Sequence, residues 1–141
     1  MKYLLDTNVV SERIRPQPDE AVVAWLKEHT DDCALSVMTL GELFFGVERL
    51  PAGKRRNQLE RKVRFLWEDW SDAILPLMES EAAEWGRYAR LLEEEFGSNA
   101  LKQFDLRDTW IAATARVSAL TIVTRNARHF PFCETLNPFS S

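Results

Sequence analysis

Three acidic residues stand where a strand should end or a helix should begin. Asp6 directly follows the short apolar segment 2–5, which predicts a buried strand. Glu42 lies near the start of an apolar helical stripe, and Asp108 falls in the first turn of a helix rich in small residues. Converging carboxylates repel one another and need a cation, and their hard oxygen ligands favour Mg²⁺ or Mn²⁺ over zinc. Such ions activate water and stabilise the leaving oxygen in phosphodiester hydrolysis.

The elements that must position these acids follow from hydrophobic periodicity and from Pro, Gly and capping residues. Strands are predicted over residues 2–5, 33–37, 73–77, 119–124 and 135–136, and Pro76 favours an edge position for the third. Helices are predicted around residues 19–28, 40–47, 59–70, 82–96 and 105–115. Helices between strands indicate a mostly parallel sheet covered on both faces. Sites in such sheets form at the carboxyl ends of the strands, where Asp6 and Thr124 would meet.

The bulk composition narrows the class of protein. A chain of 141 residues suits one domain, and we expect it to span 1–141. The net charge of -4 argues against broad adhesion to nucleic acid, although it does not exclude a nuclease whose own site is acidic. Cys33 and Cys133 form no metal-binding pattern, which indicates two reduced thiols. No apolar run approaches the length of a membrane span, so a cytoplasmic protein without membrane contact is expected.

Each acid also has a purely structural explanation. Thr39 and Glu42 fit a capping box, with Thr39 at the N-cap of the helix. Asp105 and Asp108 fit an N-cap and a third helical position, where both carboxylates favour the helix dipole. Asp6 could form a simple Asx turn. No one of these short patterns is specific when it is taken alone.

Together, in order and with compatible spacing, the segments resemble the VapC and FitB branch of PIN-domain proteins, the toxins of VapBC-type toxin–antitoxin pairs. The resemblance is carried by residues 4–12, 16–18, 22–26, 35–43, 46–56, 108–115, 120–126 and 137–139. It implies a PIN-like α/β/α sandwich with a mostly parallel five-stranded sheet. It also implies an endoribonuclease dependent on Mg²⁺ or Mn²⁺ that leaves a 5′-phosphate and a 3′-hydroxyl.

The resemblance assigns roles to individual residues. Asp6, Glu42 and Asp108 are the expected catalytic and metal-binding acids. Groups expected to orient these carboxylates or the water are Thr7, Asn8, Thr124 and Asn126. The candidate RNA contacts are Arg13, Arg15, Arg125 and His129. The expected partners are a VapB-type antitoxin, a second copy of the chain in a homodimer, RNA as substrate, and DNA only through the antitoxin.

One departure from the family pattern leaves alternatives open. Many relatives carry a fourth acid in the region where this chain has Asn126 and His129. His129 could substitute weakly as a ligand or bind phosphate, or it could be a surface or capping residue. Without the fourth acid, the chain could instead be a weak or inactive module that acts through antitoxin and DNA binding. A phosphotransferase with Asp6 as nucleophile is disfavoured, because Asn8 stands where that chemistry usually wants a second Asp.

Overall fold

A parallel five-stranded sheet forms the centre of the computed structural model, which describes residues 1–140. The strands are β1 (Tyr3–Leu5), β2 (Cys33–Ser36), β3 (Ile74–Leu75), β4 (Thr121–Val123) and β5 (Thr135–Leu136). They lie in the order β3-β2-β1-β4-β5, and every neighbouring pair is parallel. In the register, Leu4 of the central strand stands between Ala34 and Ile122. All carboxyl ends of the strands therefore meet at one edge of the sheet.

Seven helices connect the strands within the described residues. They are α1 (Thr7–Val10), α2 (Glu20–His29), α3 (Val37–Glu48), α4 (Lys54–Asp69), α5 (Glu79–Phe96), α6 (Ala100–Gln103) and α7 (Leu106–Ser118). Short 3₁₀ turns cover Ser11–Arg13, Thr30–Asp32, Ser71–Ala73 and Ala127–His129. The predicted stop of α5 at Gly97 is confirmed, because this residue caps the helix with φ of 97°.

The side chains of the strands alternate between two apolar clusters, one on each face of the sheet. On one face, Leu5, Leu35 and Val123 pack against apolar side chains of α1 to α4, among them Val9, and together they form the first core cluster. Leu4 and its neighbours in the register pack on the opposite face with α5, α6 and α7. Small side chains of α7, among them the fully buried pair at 112 and 113, let this helix lie close to the sheet. The predicted α/β/α sandwich with a parallel sheet is confirmed.

Local details differ from the sequence prediction for identifiable reasons. Residues after Asp6 form a one-turn helix rather than a simple Asx turn, although the Asp6 side chain still binds the next backbone N–H. The strand predicted over 119–124 is shorter, because Ala119 takes a left-handed conformation that ends α7. Pro76 directly follows β3, which lies at the sheet edge as predicted.

Two further findings bear on the expectations from composition. Cys33 and Cys133 are both free thiols, the first buried and the second partly buried. Among residues 1–140, no helix is both long and apolar enough to span a membrane.

Candidate active site

Asp6 lies at the carboxyl end of the central strand because the sheet ladder continues through its backbone. Its N–H donates to the carbonyl of Val123 at 2.9 Å. The chain then turns directly into α1, and the Asp6 carboxylate caps this helix by accepting from the Thr7 N–H at 2.8 Å. The residue is only 5% exposed. A buried carboxylate is thus fixed at the point where the strands β1 and β4 both end.

One side chain after β4 and one in α1 orient the second oxygen of Asp6. The Thr124 hydroxyl donates to Asp6 Oδ2 at 2.8 Å, and the Asn8 amide donates to the same oxygen at 3.0 Å. The Asn126 backbone N–H in turn donates to the Thr124 hydroxyl at 3.0 Å. Burial raises the pKa of Asp6, while the hydrogen bonds from Thr124, Thr7 and Asn8 oppose that rise. These contacts hold the carboxylate in one orientation.

Glu42 projects from α3, which begins one residue after β2. Ser36 is the N-cap of this helix and accepts from the Met38 N–H at 3.0 Å. The capping box considered for Thr39 and Glu42 is therefore wrong: Thr39 lies inside the helix, where its hydroxyl accepts from the Thr7 hydroxyl at 3.4 Å. Glu42 is free for another role, and its Oε1 is buried without a hydrogen-bond partner within the described chain.

Asp108 stands in the first turn of α7, which Asp105 caps as predicted by accepting from the Arg107 N–H at 2.8 Å. The Asp108 Oδ2 lies 3.5 Å from His129 Nδ1. The pKa of Asp108 is raised to about 7: burial is the largest cause, the negative charges of Asp6, Asp105 and Glu42 add to the rise, and the charge of Arg107 opposes it. A carboxyl of this kind is partly protonated at neutral pH.

The three acids lie close enough for the charge of each to affect the pKa of its neighbours. Asp6 is among the charges that raise the pKa values of both Glu42 and Asp108. Burial is the largest cause of the rise at Glu42, and Arg107 opposes it. The structure thus brings Asp6, Glu42 and Asp108 together from three separate parts of the chain.

The cleft fits a hard cation, although its acids are not drawn into a tight cluster. Within residues 1–140, no group of three or more His, Cys, Asp and Glu side chains lies close enough to form a ready-made metal centre. The buried Glu42 Oε1 without a hydrogen-bond partner indicates a site for a ligand, because buried polar atoms normally have a partner. Carboxylate oxygens are the ligands that Mg²⁺ and Mn²⁺ prefer.

Arg107 is a residue of this site that the sequence analysis missed. Its guanidinium binds Asp105 through Nε at 3.1 Å and Nη2 at 2.8 Å, and its Nη1 lies 3.9 Å from Glu42 Oε2. Its position directly before Asp108 was the available signal. Its positive charge partly offsets the acids of the cleft.

The candidate RNA contacts fall into two groups. His129 lies beside Asp108, and the Arg125 backbone N–H donates to the Asn8 side chain at 3.2 Å. Arg13 instead pairs with Asp69 at 2.7 Å, at the C-terminal end of α4. Arg15 pairs with the buried Glu12 at 2.8 Å. The first pair lies at the cleft, while both arginines of the second group are engaged with acids outside it.

The fold and the cleft together define a class of protein: a parallel α/β/α sandwich with converging acids at the carboxyl edge of its sheet. The PIN domain family matches residues 3–134, so the chain belongs to the PIN-domain family. The resemblance inferred from the sequence is thereby confirmed.

Particular relatives narrow this class. The chain is similar to Toxin FitB of Neisseria gonorrhoeae, with 41% identity over 129 residues that cover 90% of this chain and 89% of that protein. It is 34% identical over 143 residues to a VapC ribonuclease of Sinorhizobium fredii, with 96% of each chain covered. The crystal structure of FitAcB from Neisseria gonorrhoeae superposes with a TM-score of 0.81 and 36% identity, covering 96% of this chain and 97% of that one. A structure of FitAB bound to a DNA fragment gives a TM-score of 0.83 at 36% identity, covering 96% and 94%.

Proposed function

We propose that this protein is a metal-dependent endoribonuclease and the toxin component of a VapBC-like toxin–antitoxin system. The observation that carries the proposal is the cleft of Asp6, Glu42 and Asp108, in which one buried and two partly buried acids repel one another and Glu42 Oε1 has no hydrogen-bond partner within the described residues. A nuclease that binds cations needs this arrangement, whereas a purely structural cluster would pair its oxygens. The match to a VapC ribonuclease supports the same reaction class.

Asp6, Glu42 and Asp108 are the groups that would hold one or two Mg²⁺ or Mn²⁺ ions. Such an ion, when bound, lowers the pKa of water and stabilises the leaving oxygen of a phosphodiester. Asp108 must lose the proton that it partly retains at neutral pH before it can serve as an anionic ligand.

The neighbouring polar groups then have distinct tasks. Thr124 and Asn8 both donate to Asp6 Oδ2, which leaves a defined set of lone pairs for other contacts. Thr7 contributes its backbone N–H to Asp6 Oδ1. Asn126 adds an amide without charge where many relatives carry an acid, so we expect a second ion to bind less tightly than the first. His129 lies beside Asp108, where its imidazole could donate to an RNA phosphate.

The proposed partners follow from the relatives. Both FitAcB and DNA-bound FitAB resemble this chain over nearly its whole length, which supports an antitoxin partner and contact with DNA through that antitoxin. Phe45, Phe65 and Trp67 on α3 and α4 remain 53%, 63% and 43% exposed, as expected of a surface that a protein partner covers. We further propose a homodimer that acts on RNA in the cytoplasm.

Cleavage of a mixed cellular RNA pool by antitoxin-free protein tests the activity. The reaction is run with Mg²⁺, with Mn²⁺ and with EDTA. The wild type and Asp6→Asn are compared with the control variant Asp31→Asn. Asp31 is an exposed acid in the turn before β2, at the amino ends of the strands and away from the cleft. We expect discrete metal-dependent cuts from the wild type and from Asp31→Asn, and none from Asp6→Asn.

Two results would contradict the proposal. Cuts that are equal in the wild type and Asp6→Asn would come from another nuclease. A folded wild type that cuts no RNA with either metal would instead favour the inactive module, whose signature is antitoxin binding without cleavage. Thermal midpoints with and without Mn²⁺ separate loss of metal binding from loss of chemistry in that case.

A further inference from the structure

Arg125 is held at the edge of the carboxylate cleft by contacts on both its backbone and its side chain. Its backbone N–H donates to Asn8, whose amide donates to Asp6. Its guanidinium carbon lies 4.6 Å from the centre of the Phe139 ring. Phe139 belongs to the segment after β5. Residues near the C-terminal end of the chain therefore contact the edge of the cleft that lies at the carboxyl ends of β1 and β4.

The segment 137–140 is fixed on both sides of this ring. The Asn137 side chain accepts from the Phe139 N–H at 2.9 Å. The Ser140 hydroxyl donates to Asp19 at 2.9 Å, and Asp19 also caps α2. The Asp19 N–H in turn donates to the buried Glu12 at 2.7 Å. Phe139 itself packs against the first core cluster, so the ring has a defined place.

The guanidinium of Arg125 forms no ion pair with an acid of the described chain. No Asp or Glu among residues 1–140 forms an ion pair with Arg125, whereas Arg107 at the same cleft is bound by Asp105. The guanidinium carbon lies over the Phe139 ring, and such a cation–π contact does not consume the N–H donors of the arginine. Those donors match the oxygens of a phosphate group. Arg125 is exposed, so an RNA strand that lies across the cleft could contact its guanidinium.

We propose that Phe139 is a positioning residue that holds the Arg125 guanidinium to bind a phosphate of the RNA strand. This inference rests on the proposed function and adds the segment 137–140 to the substrate-binding surface. The buried Glu12 binds Asp19, and Asp19 in turn holds the segment 137–140 through Ser140. Phe139 orients the guanidinium, and of these residues only Arg125 would contact RNA.

A double-mutant cycle on RNA binding tests the inference. The proteins are the wild type, Arg125→Ala, Phe139→Leu and the double variant, and the probe is a short fluorescein-labelled single-stranded RNA of mixed sequence in EDTA. Arg125→Ala should weaken binding by about ten-fold or more, as expected for a lost charge-assisted contact. Phe139→Leu should weaken binding by about two- to five-fold, the size of an exposed cation–π contact. In the double variant Phe139→Leu should add nothing further.

Phe132→Leu is the matched control. Phe132 is 48% exposed and precedes β5, whereas Phe139 follows it, so the two phenylalanines lie at opposite ends of the same strand. Phe132→Leu should leave RNA affinity unchanged. In cleavage assays, Phe139→Leu should raise KM and leave kcat close to the wild-type value, because the ring does not touch the reacting atoms.

The outcomes separate this inference from the proposed function. A purely structural Phe139 would lower the thermal midpoint but leave RNA affinity unchanged, or would weaken binding equally with and without Arg125; either result overturns the inference. A wild type that fails to bind RNA also overturns it. A wild type that binds RNA with the expected cycle but cuts none with either metal would refute the nuclease and leave the binding role of Phe139 standing.

Discussion

The acids with buried oxygens in this protein are of two kinds, which differ in whether their carboxylate oxygens have hydrogen-bond partners within the chain. Glu12 and Glu81 are 2% and 7% exposed, close to the 5% of Asp6. Glu12 uses both oxygens, one for Arg15 and one for the Asp19 N–H. Glu81 likewise accepts from a backbone N–H and a serine hydroxyl at the start of α5. In the cleft, by contrast, one oxygen of Glu42 has no partner within the described residues.

The origin of the partners explains the difference. Glu12 and Glu81 bind groups within seven residues of themselves, so local turns and helix caps satisfy them as the chain folds. Asp6 also accepts from its neighbours Thr7 and Asn8, but its third donor, Thr124, is 118 residues away. Glu12 and Glu81 are thus satisfied by nearby groups, whereas the acids of the cleft come from distant elements, and one oxygen of Glu42 there stays without a partner in the described chain.

The largest expected effect is on catalysis. Asp108→Asn should lower RNA cleavage by at least about 100-fold, because it removes an anionic ligand from the cleft. Glu81→Gln, which alters a more deeply buried acid outside the cleft, should keep cleavage near the wild-type rate per folded molecule. Initial rates of RNA cleavage with saturating Mg²⁺ measure both. Similar losses in the two variants would remove the distinction between the two kinds of acid.

The second prediction concerns stability. Glu12→Ala should lower the free energy of unfolding by about 1–3 kcal/mol, since it leaves the Asp19 N–H and the Arg15 guanidinium without their acceptor. Glu42→Ala should leave stability unchanged or raise it, because it relieves repulsion with Asp6. Urea denaturation in EDTA measures both values. A clear loss of stability in Glu42→Ala would mean that Glu42 is a structural acid after all.

The third prediction sharpens the role of Thr124. Thr124→Val keeps the shape of the side chain and removes the hydrogen bond to Asp6, so Mn²⁺ affinity should fall by about ten-fold. Thr114→Val is the matched control: Thr114 is also buried, but its hydroxyl donates only to the carbonyl of Trp110 within α7. Mn²⁺ titration calorimetry compares them. Equal affinities for the two variants would count against the orienting role.

The last prediction concerns the pH dependence of stability without metal. The folded pKa of Asp108, about 7, lies above its ordinary value of 3.8, so the folded state retains a proton that the unfolded chain loses. Stability in EDTA should therefore fall as the pH rises from about 4 to about 7, between the unfolded and folded pKa values. Thermal midpoints measure this slope. Asp108→Asn should flatten it, and saturating Mn²⁺ should reverse it; an unchanged slope in Asp108→Asn would assign it to other groups.

Much of this architecture was predictable because its signals are local. Asp19 and Asp105 cap their helices as predicted, and Gly97 ends α5. Thr39 was misjudged as an N-cap because Ser36, three residues earlier, offers the same hydroxyl at the actual strand end. The assignments of catalytic and RNA-binding roles stay predictions, among them those of Arg13 and Arg15, which the structure pairs with acids outside the cleft.

The sequence by itself determined the family, the order of the strands and the five longer helices, and the three acids worth attention, since these follow from residue types and spacings along the chain; it did not predict the short helices α1 and α6. Only the tertiary structure decided which groups surround those acids. The Arg107 contact with Glu42, the orphaned Glu42 oxygen and the Phe139 ring beneath Arg125 all join elements far apart in the chain. Burial and Coulomb repulsion depend on distances in space, and spacing along the chain does not fix those distances.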